Sequence, residues 1–380
     1  MRNLLIIGCF ILIFFGCKQA PKENRSFCYW KTTMDLSQDE IKTIQQLNIG
    51  HFYVRFFDVD WNPYEKEAFP VASVYGSGKD LLKYSDITPS VFITNAVLEN
   101  SDSSKLDSLA SRIARKSKQQ IDKMCSYFAN DEASTLSYNK NLEWDRMHQI
   151  SDSLYPITFK ASKKRFTEIL IDCDWSSKTR DKYFFLLRQL KKYIPEYEIS
   201  STIRLWQYKY RKKAGIPPVT RGLLMCYSID NPKDYNVENS ISSTEELKKY
   251  VDGASYPVKL DIAIPVFSWG VLFRGGKFKE LITQAETMDF EKDTFNFQRK
   301  GPNRYIVKTD QVLRNMYLRF GDEIRIEQLS VMELEKMAVY LHKALKPSKN
   351  RRITLFSWDI NYINHYGIEN IKKYYSILNN

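Results

Sequence analysis

The sequence predicts an α/β protein of the (β/α)8 TIM barrel type with rim insertions, on three observations. Short apolar runs alternate with helical stretches through almost the whole chain, eight such runs can be counted, and the 380 residues exceed the roughly 250 that a barrel typically needs. The runs are Phe27 to Thr32, His51 to Phe57, Thr88 to Thr94, Thr167 to Cys173, Ile199 to Leu205, Gly222 to Ser228, Lys259 to Phe267 and Ile353 to Trp358. An open doubly wound sheet is the competing arrangement of the same pattern.

The helices between the runs carry their own start signals. Ser37-Gln38-Asp39-Glu40 and Ser330-Val331-Met332-Glu333 both have the capping-box form, in which Ser and Glu reciprocally satisfy free backbone donors. Leu106, Leu109, Ile113, Ile121, Met124 and Phe128 keep one helical face apolar, and Tyr183, Leu186, Leu187 and Leu190 do the same further on. Two insertions account for the excess length. Residues 130–165 are polar and poorly periodic, whereas residues 270–328 contain Phe295-Asn296-Phe297, a Gly301-Pro302-Asn303 turn and Tyr305-Ile306-Val307, which reads as a hairpin on the barrel rim.

The N-terminus bears on the compartment. Arg2 precedes an unbroken apolar stretch from Leu4 to Phe15 that ends at Gly16-Cys17, too short to span a bilayer core of about 30 Å at about 1.5 Å per residue. A small residue followed by Cys resembles a bacterial lipobox, which makes residues 1–16 a lipoprotein signal peptide, Cys17 the lipidated residue, 17–26 a tether and 27–380 one barrel domain. The resemblance implies membrane contact through the N-terminal lipid and a place in the cell envelope. Lys18, where inner-membrane retention uses an Asp, favours the outer membrane. Cys28, Cys125, Cys173 and Cys226 form no CxxC pair, and three of them sit in apolar runs, so buried thiols are expected, with a disulfide as the alternative in an oxidising compartment.

Charge and composition exclude several classes. With 57 Lys and Arg against 45 Asp and Glu the net charge is +12, and 43% hydrophobic with 27% charged residues is globular, not disordered or polytopic. The four histidines form no H-E-x-x-H or similar pair, so neither a metal nor another cofactor is expected. Basic runs such as Lys209 to Lys213 read as solvated helix ends or contacts with anionic envelope glycans and lipids. Nucleic acid is not expected as a partner. The oligomeric state is open.

Barrel chemistry sits at the C-terminal strand ends. Five of those ends carry Trp, in Asp58-Val59-Asp60-Trp61, Asp172-Cys173-Asp174-Trp175, Arg204-Leu205-Trp206-Gln207, Ser268-Trp269 and Trp358-Asp359. Indole faces stack on the C–H faces of sugar rings while carboxylates, Arg and Gln bond hydroxyls. A glycan or oligosaccharide is therefore the expected ligand, with Arg55, Trp175, Arg204, Trp206, Gln207, Tyr227, Trp269 and Trp358 as binding candidates and Trp175, Trp206, Trp269 and Trp358 on one concave surface. Packing beneath loops is the competing role of these tryptophans. Asp172 and Asp174, two apart on a strand, face the same side, and an Arg beside them would hold one ionised and leave the other to carry a proton. Asp359 or Asp58 is the expected catalytic partner.

Phe166 to Trp175 resembles the fourth-strand segment of chitinase-type glycoside hydrolase barrels, whose D-x-x-D-x-D-x-E motif ends in a catalytic Glu. By that resemblance Asp172 and Asp174 take the last two Asp positions, Glu168 stands for the first, and Ser176 replaces the Glu. Together with Ser201-Thr202-Ile203-Arg204-Leu205 and the lipobox, the chain is similar to an uncharacterised family of bacterial lipoproteins with glycoside-hydrolase-like barrels. Two functions follow: a glycosidase using Asp172 or Asp174, or a non-catalytic glycan-binding or scaffold protein that lacks the acid.

Overall fold

A computed structural model describes residues 24–379 apart from 140, 141, 254, 347 and 349; the signal segment and Cys17 lie outside the described residues. Eight parallel strands close on themselves: Arg25–Tyr29, His51–Asn62, Asp86–Ile93, Glu168–Cys173, Glu198–Arg204, Arg221–Met225, Lys259–Pro265 and Ile353–Phe356, called strands one to eight. Strand one pairs with strand two (Ser26 opposite His51) and with strand eight (Arg25 opposite Ile353), so no edge is left in the ring. The open doubly wound sheet is thereby excluded. Strand one starts at Arg25, which moves residues 25 and 26 from the expected tether into the barrel.

Each strand points alternate residues inward, and the two faces differ in chemistry. Outward residues such as Ile169, Ile171 and Cys173 join the large core between barrel and helices; inward residues such as Cys28, Tyr53, Leu170, Leu223, Met225 and Ala263 fill the lumen. The four cysteines are buried free thiols. Helix Gln38–Leu47 has the full Ser37/Glu40 capping box. At helix Val331–Ala344 only half of the expected box forms, because Ser330 caps the helix while the Glu333 carboxylate accepts instead from the Thr244 backbone N–H at 2.7 Å.

The described residues of both insertions form regular elements. Helix Ser103–Ser137 runs on into the first, and helix Trp144–Lys163 packs against it. The second helix turns Met147, Ile150, Leu154 and Phe159 to the same face as buried Thr158 and Ser162, but these apolar residues stay only partly buried and Pro156 interrupts the run, which hides the helix in the sequence. The second insertion is wider than a hairpin: Ser268–Arg274, Lys277–Thr283, Phe297–Arg299, Arg304–Val307 and Glu323–Gln328 form a five-stranded antiparallel sheet with its own small core, and Phe297–Arg299 and Arg304–Val307 are the predicted hairpin. This rim sheet stands beside the C-terminal mouth of the barrel, because it begins three residues after strand seven ends.

Candidate functional site

The C-terminal mouth is polar on one side and aromatic on the other. Strands four and five build two polar rungs, since inward residues recur every second position. In the lower rung the Thr202 hydroxyl donates to Asp172 Oδ1 at 2.7 Å. Above it Arg204 binds both oxygens of Asp174, with Nη2 to Oδ2 at 2.7 Å. A bulge between Arg55 and Phe57 in strand two turns Arg55 and Asp58 to the same side although they are three apart, and Arg55 Nε donates to Asp58 Oδ1 at 2.7 Å. Burial pushes the Asp172 carboxyl up to about 6; Arg204 opposes this, and Asp174 and Asp58 add to it. Asp58, Asp172, Asp174 and Arg204 therefore form one electrostatic group.

Strands one, six, seven and eight supply the aromatic side. Trp30 lies 5.6 Å from Phe356, Tyr227 stacks on Phe356 at 4.9 Å, and Phe267 meets Tyr227 edge-on at 6.0 Å and Trp269 at 5.1 Å. Trp269 is fixed from behind. Its indole N–H donates to Glu327 Oε2 at 2.8 Å, and the other Glu327 oxygen accepts from Arg325 Nε at 2.7 Å. Both charged residues are fully buried. Arg325 also donates to the carbonyls of Pro232 at 2.9 Å and Asp234 at 2.8 Å, which ties the loop after strand six to the rim sheet. Between these elements opens a cleft of about 480 Å³, lined by Asp174, Arg204, Trp206, Asp230, Tyr250 and Trp269 among others. That size suits a small-molecule or oligosaccharide site. Burial, with Glu246 nearby, raises the proton affinity of the Asp230 carboxyl.

Of the four tryptophans expected on one surface, only Trp206 and Trp269 line the cleft. Trp175 is fully buried, stacked on Tyr183 at 4.8 Å with its N–H on the Ala214 carbonyl at 3.2 Å. Following outward-facing Cys173 by two, it continues the outer face of strand four. Trp358 is also buried, edge-on to Phe27 and Phe52, and donates to Glu40 Oε1 at 3.0 Å. Strand eight ends at Phe356, so its alternation does not extend to residue 358. Gln207 is buried and closes a turn, accepting from Arg204 N at 2.8 Å and donating to the Trp175 carbonyl at 3.0 Å. Tyr227 sits in the aromatic wall. Asp359 caps helix Ile360–Tyr366, accepting from Asn361 N at 2.8 Å and Gln284 Nε2 at 2.6 Å, outside the cleft lining.

Counting the chitinase-type motif back from Asp174 puts Ile169, not Glu168, at its first Asp. Glu168 lies at the opposite end of the lumen, paired with Arg352 Nη1 at 2.6 Å. Ser176 is a turn residue whose Oγ accepts from Lys178 N at 3.2 Å and lies 3.3 Å from Thr179 Oγ1. Sequence reasoning missed Trp30, Asp230, Tyr250, Phe267 and Phe356. Trp30, Phe267 and Phe356 were within reach, being at or just past C-terminal strand ends; Asp230 and Tyr250 come from a loop and a helix that carry no such signal.

The molecule is a closed (β/α)8 barrel with an amphipathic cleft at its C-terminal mouth. No protein-family model matches the chain, and no curated protein sequence does. Its structural neighbours are glycoside-hydrolase-like barrels at low sequence identity. They include the Bacillus cereus spore cortex-lytic enzyme SleL (11% identity, 93% of this chain and 74% of that one, TM-score 0.44). A xylanase-α-amylase inhibitor protein, XAIP-I, crystallised with trehalose, is 11% identical over 93% and 96% of the two chains with a TM-score of 0.36. The β-mannanase of the blue mussel Mytilus edulis is 10% identical over 93% and 91%, with a TM-score of 0.34.

Proposed function

We propose that this protein is a lipid-anchored protein of the bacterial cell envelope, on the outer membrane, whose cleft binds a glycan without hydrolysing it. The observation that carries this reading is the cleft in which Trp206, Tyr250 and Trp269 accompany the Arg204–Asp174 pair. A pyranose ring has apolar C–H faces and a rim of hydroxyls, so it matches a site that combines flat rings with charged hydrogen-bonding groups. Against hydrolysis stand two features. The position at which chitinase-type barrels carry the acid is Ser176, held in a turn, and both oxygens of Asp174 are engaged by one guanidinium.

A hydrolase is the second reading, and Asp172 favours it, because a carboxyl pushed up to about 6 is suited to proton transfer near neutral pH. Calorimetric binding and product analysis on one panel of oligosaccharides separate the two. Binding without product is the expected result. Turnover that is lost in Asp172→Asn would establish the hydrolase instead, and no binding to any glycan would remove both readings.

A further inference from the structure

The N-terminal end of the barrel, opposite the cleft, has an opening of its own. A cavity of about 150 Å³ is lined there by Asn24, Arg25, His51, Asp86, Arg165 and Arg352 among others. A water takes about 30 Å³ of liquid, so the space accommodates a five-atom oxyanion such as a phosphate group. Three arginines line it, and Arg guanidiniums match phosphate oxygens in planar, bidentate geometry; that of Arg25 is held by the Leu47 carbonyl at 3.0 Å and lies over the Tyr375 ring, which leaves Arg165 as the one whose side chain has no protein partner among the described residues.

The charges around the cavity are unequal. Arg352 pairs with Glu168, and Arg221 with Asp261 at 2.6 Å, so those four groups largely balance. Asp86 is exposed at the start of strand three. Arg165 makes no side-chain hydrogen bond or ion pair with the described residues, and it borders the cavity. Lys164, Lys259, Lys346 and Arg351 precede or begin strands four, seven and eight on the same face, and none of them forms an ion pair among the described residues. Burial lowers the proton affinity of Lys259, with Arg221 and Arg352 acting in the same direction and Asp261 and Glu198 against it. Against these cations stand the exposed acids Asp86 and Glu198 at the starts of strands three and five, so the face keeps an excess of positive charge, which attracts anions and is complementary to an anionic lipid surface.

The chain itself delivers this face to a membrane, on the reading that Cys17 is lipidated. Asn24 lines the cavity, and only seven residue steps separate it from Cys17, a reach of at most about 25 Å when fully extended. We infer that the N-terminal face of the barrel docks on the anchoring membrane, with the phosphate of an anionic lipid headgroup in the cavity beside Arg165. The cleft then faces away from the membrane, toward glycans in the surrounding space.

The test needs neither lipidation nor a glycan, so its outcome is independent of both those readings. Residues 24–380 contain all eight strands of the closed ring and the cores on both sides of it. This chain is floated with vesicles of phosphatidylcholine alone and with added phosphatidylglycerol. Retention on the anionic vesicles is expected, falling about fivefold for each cation removed in Arg165→Gln and in Lys164→Gln. Lys178→Gln, an exposed charge at the opposite mouth, should change retention little. Inorganic phosphate is titrated in a parallel arm. Equal retention on both vesicle types, equal loss with Lys178→Gln, or binding of inorganic phosphate with no vesicle retention would each overturn the inference.

Discussion

The buried carboxylate of Glu327 accepts the indole N–H of Trp269 at 2.8 Å, which makes a cleft residue on the barrel mouth dependent on a charge in the rim sheet. Glu327 Oε2 also accepts from Ser240 N at 2.8 Å, so one carboxylate joins Trp269, the loop after strand six and Arg325. Removing one partner of such a pair leaves an uncompensated charge in a site closed to water. Glu327→Ala is expected to cost about 3–5 kcal/mol of stability. Glu327→Gln, which keeps an acceptor for the indole, should cost less and should preserve glycan affinity better. Urea denaturation of the two variants checks this, and a loss below about 1 kcal/mol for Glu327→Ala would show that the pair is dispensable.

The tryptophans divide into two classes with opposite readouts. Trp175→Ala and Trp358→Ala each empty a fully buried site and should destabilise the barrel by about 3–5 kcal/mol. Trp206→Ala and Trp269→Ala should instead weaken glycan binding by about 2 kcal/mol, with Trp206→Ala sparing the melting temperature. Paired calorimetry and thermal melts separate the classes. Equal loss of binding in all four after correction for unfolding would contradict the division.

Asp172 gives the fold a pH dependence whose sign is fixed by its environment. Its carboxyl is raised from 3.8 to about 6, so the folded state holds the proton more tightly than the unfolded chain. The stability this provides is fully present below about pH 4 and is lost as pH rises through about 6. Asp172→Asn should therefore flatten the stability profile between those values and stabilise the protein at pH 7, by on the order of 2 kcal/mol. Denaturation of both forms from pH 4 to 7.5 tests the sign; a variant less stable than wild type at pH 7 would show that the Thr202 and Arg204 contacts outweigh the desolvation cost.

Lipidation at Cys17 predicts that Cys17→Ala abolishes incorporation of labelled fatty acid. Wild type should fractionate with outer membranes. A Cys17→Ala protein still carrying the label would place the lipid elsewhere or remove it.

Much of the fold was legible because it rests on local pattern. All eight predicted strands are barrel strands, since buried parallel strands read as near-continuous apolar runs and the Ser37/Glu40 box marks a helix start. Asp172 and Asp174 were legible as a same-face pair from their spacing alone. Helix Trp144–Lys163 was not, because its stripe of Met147, Ile150, Leu154 and Phe159 is only partly buried and Pro156, a residue that ordinarily ends a helix, lies within it.

The sequence by itself determined the eight barrel strands, the helix starts at Ser37 and Ser330 and the carboxylates at the mouth of strand four, because these depend on neighbours two to four positions apart. Only the tertiary structure decided which of the tryptophans meet solvent, that Glu327, itself paired with Arg325, holds Trp269 from 58 positions away, and that Arg25, Arg165 and Arg352 line one cavity. Those relationships join distant segments. Their side-chain directions depend on where a strand stops, as at Phe356, or bulges, as at Arg55, which period-two counting does not register.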